Sequence, residues 1–160
     1  MRKSVLLVIV VAVAVAVGRW RSTSEPAADP KRLIANRIWL DHIPRSDKDT
    51  VQAFFANSKE AVGVFAASSQ WRGSYELFRY EAHGGELRVV YPQTGEREGV
   101  RAKARRCTEQ GMDFCLELEG TSRGVKKYYS REGWEVDAAR DAGEIQGQVE
   151  ALRAQLVAAE

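Results

Sequence analysis

The stretch "GSYELFRYEAHGGELRVVY", residues 73–91, does most to restrict the fold of this chain. Side chains alternate between apolar and polar on both sides of Gly84-Gly85, the period of a half-buried strand, and the glycine pair supplies the positive φ of a two-residue turn. With those two residues as the loop, His83 faces Glu86, Glu81 faces Arg88, Tyr80 faces Val89 and Phe78 faces Tyr91. Opposite charges then meet on one side of the ladder and aromatic meets aliphatic on the other, the pairing that stabilises antiparallel strands.

Shorter segments of the same period flank this hairpin. "EAVGVFAASS" predicts a strand around 60–67, followed after the hairpin by "REGVRAKARRC" and "FCLELEGT". "GVKKYYSREGWEV" predicts two more, turning at Arg131-Glu132-Gly133. A meander of six to seven consecutive strands must roll up to hide its edges. The predicted class is therefore mainly β: a small antiparallel meander barrel or strongly curved sheet, with one helix before it and one C-terminal helix. The first helix is placed over 46–57, capped by Ser46 or Asp47, entered after Pro44 and ended at Asn57-Ser58. Its apolar face is Val51, Phe54 and Phe55, against which Trp39, Leu40 and Ile43 pack. The second lies in "DAGEIQGQVEALRAQLVAAE", where Ile145, Val149, Leu152 and Leu156 form an apolar stripe. That stripe fits docking on the chain's own sheet or self-association.

The two cysteines, Cys107 and Cys115, fall in consecutive predicted strands. Placed opposite each other, they set Arg105 against Glu117, Lys103 against Glu119, Ala104 against Leu118 and Ala102 against Gly120, with Gly111 at the loop centre. A one-residue slip would reverse both faces, so this register joins charge, burial and a disulfide. Zinc would need two further ligands, C-x-x-C spacing is absent, and only two histidines exist. No metal site and no cofactor is predicted.

The beginning of the chain points to export. Arg2 and Lys3 precede thirteen apolar residues, Val5 to Val17. As a helix this run spans roughly 20 Å, short of the ~30 Å bilayer core. Ala14-Val15-Ala16 and Ala16-Val17-Gly18 have the form of cleavage sites. Residues 1–18 are thus a signal peptide or an uncleaved N-terminal anchor, and residues 19–32 a flexible linker. The β domain is expected over 33–137 and the amphipathic helix over 138–160. A disulfide fits a periplasmic or secreted location. The alternative is an inner-membrane anchor through residues 4–18, the only membrane contact expected.

Charge narrows the partners. The chain has 24 basic and 22 acidic residues, and Arg2 and Lys3 account for the difference. A body without net charge has no field to draw it onto nucleic acid. "RGVKKYYSREGW", residues 123–134, is read as strand alternation rather than a stacking platform. His42 and His83 are read as solvated or capping residues. No nucleophile elbow, P-loop, dinucleotide-binding or metalloprotease motif occurs, so no catalytic residue is assigned and an enzyme is not expected. Only a clustering of His42 with carboxylates in a cleft would reopen that question.

"SQWRGSYELFRYEAHGGELRVVY", residues 69–91, resembles the opening hairpin of lipocalin-like (calycin) barrels, in particular the nitrobindin-like branch. Trp71, Arg72, Gly73, Phe78, Arg79, Tyr80 and Glu81 match in kind. The glycine usually found two residues before that tryptophan is Ser69 here. No histidine follows His83, so the branch's haem ligand is missing. The resemblance implies a small apolar ligand held among Trp71, Phe78, Tyr80, Val89 and Tyr91, with Arg131 as the basic residue near the barrel's end. The alternative is a filled core in an anchored envelope protein that meets a partner, or itself, through Ile145, Val149, Leu152 and Leu156.

Overall fold

The computed structural model describes residues 33–46, 48–69 and 72–139, and in the tail residues 144, 147–148, 151–152 and 154–156. The segments expected as leader and linker, together with Trp71, Ile145 and Val149, lie outside the described residues. Eight strands form a closed antiparallel barrel in sequence order: β1 (Trp39–Leu40), β2 (Val51–Asn57), β3 (Val62–Ser68), β4 (Gly73–His83), β5 (Glu86–Val90), β6 (Arg97–Arg106), β7 (Phe114–Glu119) and β8 (Lys127–Ser130). Closure comes from Leu40 of β1 pairing with Tyr129 of β8. Every strand has a neighbour on each side, although the first half of β4, which runs past the end of β5, lacks a ladder partner on one side. Among the described residues no helix is long and apolar enough to cross a membrane.

The central hairpin takes the predicted register: Tyr80 pairs with Val89, Glu81 with Arg88 and His83 with Glu86. Gly84 and Gly85 both hold positive φ, 58° and 93°, which the tight turn requires. Its place in the barrel differs from the resemblance, since these are the fourth and fifth strands. The tryptophan of the first strand is Trp39.

Several expectations are corrected. The barrel has eight strands, not six to seven, because the two-residue β1 closes it. Residues 51–57 form β2, not a helix. Phe54 and Ala56 face the barrel interior, while Val51, Ala53 and Phe55 face a second apolar layer outside the wall. A strand buried on both faces has no polar alternation, so its apolar pairs imitated helical spacing. The β6–β7 register is also shifted by two residues: Arg105 pairs with Cys115, Lys103 with Glu117, Ala104 with Leu116 and Ala102 with Leu118. A two-residue shift preserves both faces, so the burial pattern was unaffected. Diagonal neighbours still meet, and Lys103–Glu119 at 3.5 Å and Arg105–Glu117 at 3.8 Å are ion pairs.

The outer layer lies over β1, β2, β7 and β8. Ile38, Leu40, Val51, Ala53, Phe55, Met112, Cys115, Tyr129, Trp134 and Val136 are buried there. The segment after β8 supplies part of the cover. In place of the predicted last strand it makes one bridge, Arg37 to Glu135, with Ile38 N–H donating to Trp134 C=O at 3.0 Å and Val136 N–H to Asn36 C=O at 2.8 Å. The described tail residues are helical, and Leu152 and Leu156 pack on this layer, so docking on the chain's own barrel holds for both.

Candidate functional site

The sequence placed a ligand inside the barrel, so the interior comes first. Trp39, Phe54, Phe65, Phe78, Tyr91, Phe114, Leu116, Leu118 and Tyr128 are all buried there. The Phe78 ring is the hub: its centroid lies 5.1 Å from Phe65, 5.9 Å from Phe54, 6.1 Å from Tyr80 and 6.5 Å from Tyr91. Such contacts are those of a packed aromatic core. Gly63 of β3, directly opposite Phe78, makes room for that ring: a Cβ there would sit 2.2 Å from Phe78 Cζ.

Apolar residues pack against the interior cluster at both ends of the barrel. At the end where β8 begins, Val125 packs against the interior cluster and its N–H donates to Tyr128 Oη at 3.0 Å. Arg123 lies across the same mouth. It donates to Glu76 at 2.8 Å, pairs with Glu96, and holds its guanidinium 4.7 Å from the Tyr91 ring centre. Tyr91 Oη donates to Glu98 at 2.9 Å. Burial pushes the Tyr91 and Tyr128 hydroxyls up to about 12. The two carboxylates beside Arg123 hold its guanidinium more firmly protonated. At the other end Leu33 and Ile34 lie with the cluster, and Trp39 Nε1–H donates to Ile34 C=O at 3.0 Å.

Of the predicted ligand residues, the structure thus brings Phe78, Tyr80, Val89 and Tyr91 together in the interior, where they touch one another or the surrounding core. Tyr80 Oη donates to Asn57 C=O at 3.0 Å, and burial raises its pKa. Arg131 is not with them. Its C=O accepts from Arg37 Nη1 at 2.6 Å, and its guanidinium lies beside Gly111, with Nε buried and unpaired. An open groove of about 540 Å³ borders the β4–β5 turn, between His83–Glu86 and Arg101–Ala104. None of the predicted ligand residues lines it.

Cys107 and Cys115 are joined, with Cα atoms 5.8 Å apart. Cys115 opposes Arg105 in the ladder, so Cys107 reaches it diagonally from just beyond β6. The bridge lies within the outer apolar layer and fastens the 107–113 loop under Met112. Glu109 is near both sulfurs, and the three groups could in principle face one ion. The sulfurs are bonded to each other and so offer no thiolate to a metal.

His42 does meet carboxylates. Nδ1 is 2.9 Å from Asp41 Oδ1 and Nε2 is 3.1 Å from Asp49 Oδ2, in the β1–β2 loop. Burial raises the Asp41 pKa, while the Arg45 N–H lowers that of Asp49. Both ring nitrogens are engaged by acids, and among the described residues no serine, threonine or cysteine is hydrogen-bonded to the ring. That arrangement fastens the loop, since Asp41 Oδ1 also accepts from Gln52 N–H at 2.9 Å.

The sequence reading overlooked the bare half of the outer wall. Val62, Tyr75 and Leu77 are the exposed large apolar side chains among the described residues, at 36%, 70% and 40%. They are neighbours: Leu77 pairs with Val64 and Val62 with Arg79 across β3–β4. Arg79 pairs with Val90 of β5, and Val90 with Arg97 of β6, while Arg88 stands one step along β5. The signal was present in the hairpin, where the residues out of phase with Phe78 and Tyr80 are Tyr75, Leu77 and Arg79. No family model, no curated protein and no solved structure matches this chain.

Proposed function

We propose that this chain is an exported, non-catalytic envelope barrel whose interior is a structural core and whose outer wall is the working surface. The observation that carries this reading is the occupied interior. Phe54, Phe65, Phe78, Tyr91 and Tyr128 fill the space that a carrier barrel keeps for its ligand, and Val125 and Ile34 pack with them at the two ends. Admitting a ligand would mean displacing an aromatic ring, which gives up about 1.5–3 kcal/mol of burial for each ring moved out into water. The lipocalin-like resemblance then extends to the barrel and not to a carrier function. The Cys107–Cys115 bridge supports a place outside the reducing cytoplasm.

The test is native mass spectrometry of the full chain purified from its own host, followed by titration with oleic acid and with 1-anilinonaphthalene-8-sulfonate. The expected spectrum is the bare mass, with no stoichiometric uptake of either probe. A one-to-one apolar adduct that protects the barrel against unfolding would restore the small-ligand reading.

A further inference from the structure

The wall over β3–β6 carries charge as well as exposed apolar side chains. Toward the far end of β6 and on β8 basic side chains are paired, Arg101 and Lys103 with Glu119, Arg105 with Glu109 and Glu117, Arg106 with Glu132, Lys127 with Glu109, whereas Arg45, Lys59, Arg72 and Lys126 have no ion pair among the described residues. Arg79, Arg88 and Arg97 are exposed and have no ion pair among the described residues. Glu81 pairs with Arg88 in the ladder but lies beyond ion-pair range. Three guanidinium groups without an ion pair therefore border the three exposed apolar side chains, Val62, Tyr75 and Leu77, and outnumber the two carboxylates beside them, Glu81 opposite Arg88 and Glu86 over Gly99. Exposed apolar patches with charged borders mark contact surfaces.

The backbone adds a second indication. β5 stops at Val90, opposite Arg79, so the first half of β4 has no strand on that side. Tyr80 N–H bonds back toward β3, to Ala61 C=O. By the two-residue alternation of a ladder, Arg79, Leu77 and Tyr75 therefore direct their N–H and C=O groups away from β3. Leu77 is satisfied by a side chain standing in for a strand: the Gln93 carboxamide, oriented to pair both its groups, donates to Leu77 C=O at 2.9 Å and accepts from Leu77 N–H at 3.1 Å. Tyr75, next along and beside the apolar patch, has no ladder partner on that side among the described residues.

We propose that this face docks an acidic, extended segment of a partner protein. The segment adds to the β4 edge at Tyr75 and lays carboxylates over Arg79, Arg88 and Arg97. The proposal rests on the reading that the outer wall, not the interior, is the working part. A second copy of this chain fits poorly, because self-apposition of one face would set arginines against arginines. A lipid surface gains nothing from the β4 edge, which only a polypeptide can extend.

The test is fluorescence anisotropy of a labelled peptide of alternating glutamate and tyrosine, titrated with the full chain, with an alternating lysine–tyrosine peptide as control. The glutamate peptide is expected to bind and the lysine peptide not. Arg79→Glu/Arg97→Glu should weaken binding at least tenfold, and Lys103→Glu, outside the face, less than twofold. Added salt should weaken it further, and hydrogen exchange at 73–77 should slow on binding. Failure of the glutamate peptide to bind, or equal losses in the two variants, overturns the proposal. So does arginine-dependent binding to phosphatidylglycerol vesicles without peptide binding, or sedimentation as a dimer that Arg79→Glu dissociates. An interior adduct in the mass spectrum would instead sink the reading beneath it. A bare spectrum with no peptide binding sinks this proposal alone.

Discussion

The contact between Gly63 and Phe78 makes the filled interior quantitatively testable. A Cβ on residue 63 would lie 2.2 Å from Phe78 Cζ and 2.6 Å from Phe55 C=O, against an optimum of about 3.5–4.0 Å between carbon atoms. The ring cannot retreat, because Phe54, Phe65 and Tyr91 surround it. The carbonyl belongs to β2 and moves only if the two strands part. Gly63→Ala should therefore cost about 1–3 kcal/mol by overpacking. Phe78→Ala should cost about 3–5 kcal/mol through lost burial and the cavity left behind. In the double variant the new methyl enters the vacated space, so the combined loss should fall short of the sum by about 1–2 kcal/mol. Relief is incomplete, because the Phe55 oxygen stays in place. Urea unfolding followed by tryptophan fluorescence measures all three variants, each loss appearing as a lower midpoint at unchanged slope. Losses that add within about 0.5 kcal/mol would refute the placement of the ring over the glycine, and with it the account of the core.

Three further outcomes follow from the same structure. Replacing Cys107 and Cys115 together by serine should lower stability by roughly 2–3 kcal/mol, since the bridge closes a short loop; unchanged unfolding with and without reductant would contradict it. In alkaline spectrophotometric titration Tyr91 and Tyr128 should ionise only near pH 12, well after an exposed phenol at about 10. Their folded pKa lies above the unfolded one, so the stability they contribute is whole below about pH 10 and lost as the pH rises toward 12; denaturation midpoints that stay flat across that window would speak against burial of both hydroxyls. Phe78→Ala should also acquire affinity for a benzene-sized molecule, as engineered apolar cavities do, which the parent chain lacks; equal binding by the two proteins would point to a pre-existing cavity.

The hairpin was legible because Gly84-Gly85 fixes its loop length, and loop length fixes register. The β6–β7 pair has no such marker. Its seven-residue connection holds a short 3₁₀ turn, Glu109–Gly111, and two registers two residues apart satisfy the same charges and the same burial. A disulfide does not choose between them, because cysteines can bridge directly or on a diagonal. β1 escaped notice because it is two residues long and exists only as the closing element between β2 and β8. β2 was misread because its periodicity is erased by apolar neighbours on both sides, which are known only once the segment after β8 and the tail are in place. Phe78, Tyr80, Val89 and Tyr91 do lie together in or against the interior cluster; whether inward means ligand or neighbour depends on Phe54, Phe65 and Tyr128 arriving from distant strands.

The double-faced burial of β2 also imposes a schedule. Val51, Ala53 and Phe55 emerge early in synthesis, but Trp134 and Val136 follow only after the whole barrel, and Leu152 and Leu156 later still. A barrel that closed during translation would show a greasy flank to every passing chain until those residues arrived, the condition under which partly made proteins stick together. Delaying closure until Trp134, Val136, Leu152 and Leu156 are available removes that interval.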